Sequence, residues 1–482
     1  MPFYIDPVAG DDAKSGKART RAWRTLARAS RQAFKPGDRV LLRRGGVWNE
    51  PIRLRGSADA DHPILLGTYG DGPRPRINGG QTHAISADEP ISGWRISGLE
   101  LTSTNDLNPT RRITGGTCGI FLQQEDPCDA LTIEDCLIHD TSGPGIYLVA
   151  AGDPKPVFQD TVIERCEVFN ASCGILFLAP SHHAVDSFTR FRIAHCVVHD
   201  IGGDGIVPFC SRDGVIEHCT AYRTGLGVAP EDHSPVAIWY AWARNCVIQF
   251  CEAYDNHTGG QNADGGGFDF DGGCTDCIMQ HNYSHDNDGA GYLICSWDPV
   301  QWPCTGCICR YNVSVNDGLA NDYSSILFWQ SVDCQAYNNT CITRVSPPLK
   351  FTSDTHGHVI ANNIFYVNAF SDVPLLRSAF DVSRNQFRNN LYYHLSGAAR
   401  FQIQEQRLDG LDDFVALVRG EGEITGDPRF VDMARGDFHL SAGSPCKGAG
   451  LRFPDMGTRD YYGAPLSGQG PVDIGCAAEE ES

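Results

Sequence analysis

One phrase returns along most of this chain and constrains its fold more than any other feature. Ile133-Glu134-Asp135-Cys136 leads to Gly145-Ile146-Tyr147-Leu148, Ile163-Glu164-Arg165-Cys166 to Gly174-Ile175-Leu176-Phe177, and Ile193-Ala194-His195-Cys196 to Gly205-Ile206-Val207. Ile216-Glu217-His218-Cys219 and Ile248-Gln249-Phe250-Cys251 continue the series. The cysteine position then becomes asparagine, at Asn282, Asn312, Asn339, Asn363 and Asn390. Steps between these positions run from 23 to 32 residues. Short β-type runs and Gly or Asn turns at such a period, with almost no helical periodicity, indicate stacked strands with one coil per repeat. Equivalent positions stack at the strand spacing of roughly 4.8 Å, so ten registered coils make a rod on the order of 50 Å long. Length alone would suggest about three ordinary domains, whereas a solenoid accommodates 482 residues in one architecture.

Strand alternation separates inward from outward residues. The isoleucines Ile133, Ile163, Ile193, Ile216, Ile248, Ile278 and Ile308, just ahead of the ladder position, mark one face as the core. Five residues before the ladder stand Cys246, Cys277, Cys307 and Cys334, a second cysteine column beside Cys136–Cys251. The pairs Cys274-Thr275-Asp276-Cys277 and Cys304-Thr305-Gly306-Cys307 have a spacing that suits tetrahedral zinc, and disulfides are a further alternative. Half of each pair belongs to an inward column, however, and cysteine is a small apolar residue that stacks well in a dry core. Packing is therefore the favoured reading. Stacked thiols would be open to oxidation outside the cell, which points toward a reducing compartment.

Composition excludes several function classes. A hydrophobic fraction of 41% is too high for a disordered chain. No run approaches the ~18 apolar residues of a membrane span. A formal net charge of −20 argues against non-specific nucleic-acid binding, which needs clustered Lys and Arg. Met1-Pro2-Phe3-Tyr4 opens no signal peptide, so the expected location is the cytoplasm, or a secreted or periplasmic one if a leader has been removed. Nothing in the sequence speaks to oligomeric state.

With its repeat and its asparagine column, the chain resembles the right-handed parallel β-helix proteins of the pectate-lyase-like superfamily. An Asn column at a sharp turn between two sheets is a mark of those proteins. The opening Asp6-Pro7-Val8-Ala9-Gly10, then Trp23-Arg24-Thr25-Leu26 and Pro36-Gly37-Asp38-Arg39-Val40, is similar to theirs, as is the tail from Asp427-Pro428-Arg429-Phe430 to Val472-Asp473-Ile474-Gly475. The resemblance implies an all-β, single-stranded right-handed parallel β-helix and a carbohydrate-active enzyme. It divides the chain into a cap with first coils at 1–94, a β-helix core with a groove at 95–400, and a closing segment at 401–482. A short amphipathic helix is expected over Ala22–Gln32, capping the open core, and a second over Leu411–Arg419.

In such a fold, chemistry belongs to the outward side chains of one sheet and the turns beside it. Alternation gives an outward column of Tyr147, Leu176, Val207, Trp239, Asp269, Leu293, Leu327 and Lys350, with Asp271 and Trp329 on the neighbouring one. The richest segment runs from Asn262-Ala263-Asp264 to Phe268-Asp269-Phe270-Asp271. Phe268 and Phe270 face inward, which leaves Asp269 and Asp271 outward with Cα atoms roughly 6.5–7 Å apart. Carboxylates this close disfavour joint ionisation, so one can serve as acid and the other as base. That pairing suits inverting glycoside hydrolysis. Asp269, Asp271 and Asp264 are the catalytic candidates. Trp239, Trp297 and Trp329, with Trp302, could stack on sugar faces, and His233, Asp232, His285, Asp288, Asp298 and Lys350 border the same region. The expected partner is a polysaccharide or oligosaccharide, with neither nucleic acid nor membrane.

Two other classes compete. A calcium-dependent lyase would use Asp264 and Asp288 as ligands and a basic residue such as Lys350, although Lys350 lies three coils from Asp269, about 14 Å away. A non-catalytic sugar-binding or structural β-helix is the other. No cofactor is favoured; calcium is the alternative.

Overall fold

The computed structural model describes residues 1–103, 114–152, 156–180, 185–227, 235–260, 264–353, 355–466 and 468–478. They form two compact units, Met1–Ile238 with Gly259–Gln261, and Trp239–Thr258 with Asn262–Ser482. The expected divisions at residues 94 and 400 fall inside these units.

Each unit is a stack of coils, and successive coils pair strand to strand in parallel. In the first unit one sheet runs from Pro2–Ile5 through Thr132–Glu134, Val162–Glu164 and Arg192–Ala194 to Val215–Glu217, with Ile133, Ile163, Ile193 and Ile216 in register and buried. Two further sheets take the remaining strands of each coil, and a small four-stranded sheet is added by Cys128–Asp129, Phe158–Gln159, Phe188–Thr189 and Ser211–Arg212. The second unit repeats the three-sheet plan. Its first sheet runs from Val247–Gln249 to Gln386–Arg388, and its third from Glu252–Tyr254 to Ile424–Thr425. The sheet that carries the site runs through Gly266–Phe270, Tyr292–Cys295, Ile326–Trp329, Leu349–Thr352 and Leu376–Ser378 to Phe401–Ile403.

The ladder residues sit at the bend between the first and third sheets. Immediately before each stands a left-handed residue with φ between 50° and 58°: Asp135, Arg165, His195, His218, Phe250, His281, Tyr311, Asn338, Asn362 and Asn389. That conformation turns the chain sharply and points the next side chain inward. Cys166, Cys196 and Cys219 fill this corner in the first unit, their thiols directed at carbonyls of their own coil and the one before. In the second unit the asparagines build a continuous amide ladder. Each Nδ2 donates to the next Oδ1, from Asn282 to Asn312 (3.1 Å), Asn339 (3.0 Å), Asn363 (2.9 Å) and Asn390 (3.0 Å). Each also donates to a carbonyl of the preceding coil, so a fully buried polar column is satisfied.

Two expectations are corrected. Ile278 and Ile308 do not face the core: both are half-buried, and Met279 and Cys309 take the inward place, paired in register with Ile248 and Ala336. The true column lies one residue further along, and strand alternation turns a one-residue slip into a change of face. The helix expected over Ala22–Gln32 is one turn, Leu26–Ala29. Asp12 accepts the amides of Arg24 and Thr25 and holds them extended, and Thr25 then caps the turn. The second helix forms as expected, at Leu411–Val418, with Arg419 in a left-handed C-cap. Its Phe414 stacks on Phe401 at 4.2 Å and closes the end of the unit. The tail packs Phe438, Leu440, Cys446, Ile474 and Cys476 against Val313, Ile342, Ile364 and Leu391 of the third sheet. All 20 cysteines are buried thiols. No helix among the described residues is long and apolar enough to cross a membrane.

Candidate active site

The site strand, Gly266–Phe270, is anchored by its inward aromatics. Phe268 stacks on Tyr292 at 5.3 Å, and Phe270 lies 6.2 Å from Tyr240. Asp269 and Asp271 consequently point away from the core. Register along the sheet gives one outward column of Asp269, Leu293, Leu327, Lys350 and Arg377, and a second in which Cys295, Trp329 and Thr352 follow Asp271. The Asp271 amide donates to the Tyr240 carbonyl at 2.9 Å, which sets Trp239 beside Asp269.

Outward does not mean exposed. Asp269 is 2% exposed. Leu293, Cys295, Leu327 and Ala290 form a second, smaller apolar cluster outside the sheet, with Tyr323 and Trp329 packed against it. Around this cluster three carboxylates converge. The Cys295 thiol is pushed well up by burial and by Asp271, Asp269 and Asp264 together. Tyr323 is raised by burial and by Asp264, with Cys295 and Asp269 adding to it, so it stays a neutral phenol; its oxygen faces the Asp264 backbone N–H. Asp264 and Asp271 are half-buried and reach solvent. Asp264 is left-handed, φ 47°, and its carbonyl accepts Asn321 Nδ2 at 2.7 Å. Close packing demands Gly289 here, because a Cβ at that position would lie 2.0 Å from the Asp264 oxygen. Asp271 Oδ1 accepts the Gly272 amide at 2.6 Å.

An aromatic wall stands at the Asp271 end of the strand. Trp242 makes edge-to-face contacts with Trp297 and Trp302, each at 6.0 Å. Trp297 and Trp302 pack over Gly272, while Gly273, at φ 77°, makes room for Trp242. Trp297 is 46% exposed. Asp298 shapes the turn beneath it: its carbonyl accepts the Trp302 amide at 2.7 Å and its carboxylate the Gln301 amide at 3.0 Å.

The structure therefore brings together Asp264, Asp269, Asp271, Trp297 and Trp329, while the Asp298 carboxylate is engaged in its own turn. Trp239 lies beside them but is 5% exposed. Lys350 is in the expected column, yet its amine is engaged by Asp322, at 2.7 Å from the carbonyl and 3.1 Å from Oδ2. His285 belongs to the third sheet, paired with Asp286 at 2.9 Å and stacked on Tyr254 at 4.9 Å, and is not drawn into the cluster. The Asp288 carboxylate turns to His257 Nδ1 and the Thr258 amide, both at 3.3 Å. Asp232 and His233 lie outside the described residues. Tyr323, Cys295 and Trp242 were missed. Only Trp242 carried a signal, since it follows a strand whose register already placed Trp239 beside Asp269.

As for a metal, Asp264 and Asp288 gain no third His, Cys, Asp or Glu donor among the described residues; the one such group there is Cys304, Cys307 and Cys334, with sulfurs within 4.8 Å of one another.

Comparison with known proteins supports the architecture. Residues 158–341 match the family model described as a right handed beta helix region. A lacto-N-biosidase of Bifidobacterium longum subsp. longum is 23% identical over 83% of this chain, which spans only 29% of that protein's length. The crystal structure of the GH136 lacto-N-biosidase from Eubacterium ramulus superposes with a TM-score of 0.57 at 19% identity, covering 83% of this chain and 67% of that one. XylC in complex with xylose superposes with a TM-score of 0.56 at 12% identity, over 99% of this chain and 98% of its own. The chain is thus a right-handed parallel β-helix, the fold it shares with the Eubacterium ramulus enzyme and with XylC.

Proposed function

We infer that the protein is a glycoside hydrolase acting on an oligosaccharide or polysaccharide. The observation that carries this reading is the placement of Asp269 and Asp271 on the outward side of the Gly266–Phe270 strand and its end, with Asp264 just before that strand and bonded through its carbonyl to Asn321, next to the half-exposed Trp297 over Gly272. Glycoside hydrolysis needs one carboxyl group to protonate the leaving oxygen and a second to attack or activate water, and paired carboxylates beside a sugar-binding surface supply both. Asp264 and Asp271 reach solvent and can touch a sugar, so one acts as general acid and the other attacks or activates water. Asp269 lies buried on the strand that Asp271 immediately follows. The fully buried Phe268 and Phe270 hold the strand in place, and Trp297 supplies a stacking surface.

The names of the similar proteins suggest where to begin: aryl glycosides of lacto-N-biose and of xylose, within a wider polysaccharide panel. Asp264→Asn and Asp271→Asn should each lower kcat by about 10²–10⁴-fold with the fold retained. Turnover unchanged by both substitutions would sink the assignment. Products that together carry the elements of one water more than the substrate support hydrolysis, whereas an unsaturated, ultraviolet-absorbing product would indicate elimination. The lyase reading is weaker because Lys350, its candidate base, is held by Asp322. Tight sugar binding without turnover, in the wild type as in the variants, would favour the non-catalytic class.

A further inference from the structure

The turn between Val313–Val315 and Ile326–Trp329 lies across the outside of the site sheet, and every part of it is tied down. Its early amides donate to the preceding coil: Gly318 to the Gly289 carbonyl at 2.7 Å, Leu319 to Asn287 at 3.1 Å and Ala320 to Asp288 at 3.0 Å. Three successive side chains then attach in three directions. Asn321 Nδ2 donates to the Asp264 carbonyl at 2.7 Å, and Asn321 Oδ1 accepts the Tyr323 amide at 3.2 Å. Asp322, left-handed at φ 59°, points to the opposite end of the column. There Arg377 Nη1 meets Oδ1 at 2.6 Å and Oδ2 at 2.8 Å, while Lys350 Nζ takes Oδ2 at 3.1 Å and the Asp322 carbonyl at 2.7 Å. Lys350 thus grips the main chain as well as the side chain. Lys350 and Arg377 are register partners on adjacent strands, and the Lys350 side chain is only 15% exposed. Tyr323, the next residue, packs on Leu293, Cys295 and Leu327, directly over the column that begins at Asp269.

We propose that Asn321–Tyr323 is a strap that seats the Tyr323 phenol in the acid pocket as a group contacting the substrate, and that the Lys350–Asp322–Arg377 ion clamp positions it. The role of Tyr323 in turnover rests on the hydrolase reading; the clamp does not. Lys350 and Arg377 are then positioning residues. Packed over the Leu293 and Cys295 cluster and tied through Asn321 to the Asp264 main chain, the Tyr323 phenol donates a hydrogen bond to the oxygen that gains negative charge during the reaction.

Two readouts separate these claims. Hydrogen exchange reads the strap through the amides of Gly318, Leu319, Ala320 and Tyr323, and steady-state kinetics reads the site. Lys350→Met and Asp322→Asn should each speed exchange of those amides by at least about tenfold. Each should lower kcat by about 10-fold or more with KM within about twofold, and Lys350→Arg should recover most of the loss. Tyr323→Phe should lower kcat by about 10–100-fold and leave exchange unchanged. Unchanged exchange in both Lys350→Met and Asp322→Asn overturns the clamp whatever the activity. Faster exchange with unaltered kcat overturns the positioning role, and full activity of Tyr323→Phe overturns the role of the phenol. A wild type inert on every glycoside defeats the hydrolase reading, and with it the role of Tyr323, but the exchange data still decide the clamp.

Discussion

Glu423 ends the asparagine ladder. Asn390 Nδ2 donates to Oε2 at 3.1 Å and to Oε1 at 3.3 Å, and burial pushes the carboxyl up to about 8 from 4.5. The folded protein holds this proton where the unfolded chain has already released it. Stability from this group therefore falls as pH rises from about 4.5 to about 8, and is level outside that window. Discounted for partial exposure, the fall is on the order of 2–3 kcal/mol. Glu423→Gln should remove it, giving denaturation curves whose midpoints differ less between about pH 5 and about pH 9 than those of the wild type. An identical pH dependence in the two proteins would refute the assignment. Asp317, fully buried and raised to about 6 by burial, acts in the same direction over a lower window, so the comparison with Gln is what isolates Glu423. At this scale the sequence pointed to Asp269 and Asp271 through simple alternation. It could not show that Asp269 is 2% exposed, because alternation gives the face of a side chain and not what packs over that face.

Among the elements, the two ladders invite direct tests. Asn312 accepts the Asn282 amide and side chain and donates to Met279 and Asn339, all in a fully buried corner. Asn312→Ala strands several polar partners and should destabilise by about 2–4 kcal/mol, read from denaturant midpoints. The thiol stack should behave as packing. Cys304, Cys307 and Cys334 lie close together, but their sulfurs are directed at the carbonyls of Phe270, Cys274 and Cys304 in a region that is 0% exposed. Cys307→Ala should cost about 1–2 kcal/mol, and exhaustive chelation should leave Tm unchanged; a drop in Tm on chelation would instead establish a structural metal. The ladder was legible because Cys and Asn recur at one position. The slip at Ile278 and Ile308 arose because isoleucine also occurs one residue before the inward place, and only pairing with Ile248 resolves it. The first helix was over-read because Asp12, far back in the chain, competes for the amides of Arg24 and Thr25.

For the whole molecule, the 20 buried thiols are internal reporters. Eight belong to the first unit and 12 to the second. Burial raises Cys118, Cys309 and Cys341 alike, which suppresses thiolate chemistry in the native state. Native protein should therefore show almost no reaction with a thiol reagent, and denatured protein should show all 20. Peptide mapping of the label during slow unfolding would report each unit separately, and rapid native labelling of several thiols would contradict the described burial.

The sequence by itself determined the solenoid: its coils, its ladder, most of its inward positions and the strand on which the acids lie. These follow from local alternation and a fixed repeat, which one chain read in order can reveal. Tertiary structure alone decided which acids meet solvent, why Lys350 is occupied by Asp322, and that Trp242 joins Trp297 and Trp302. Those outcomes depend on turns of variable length folding back over the sheet. No periodicity encodes where such a turn lands; that is set by the contacts it makes when it arrives.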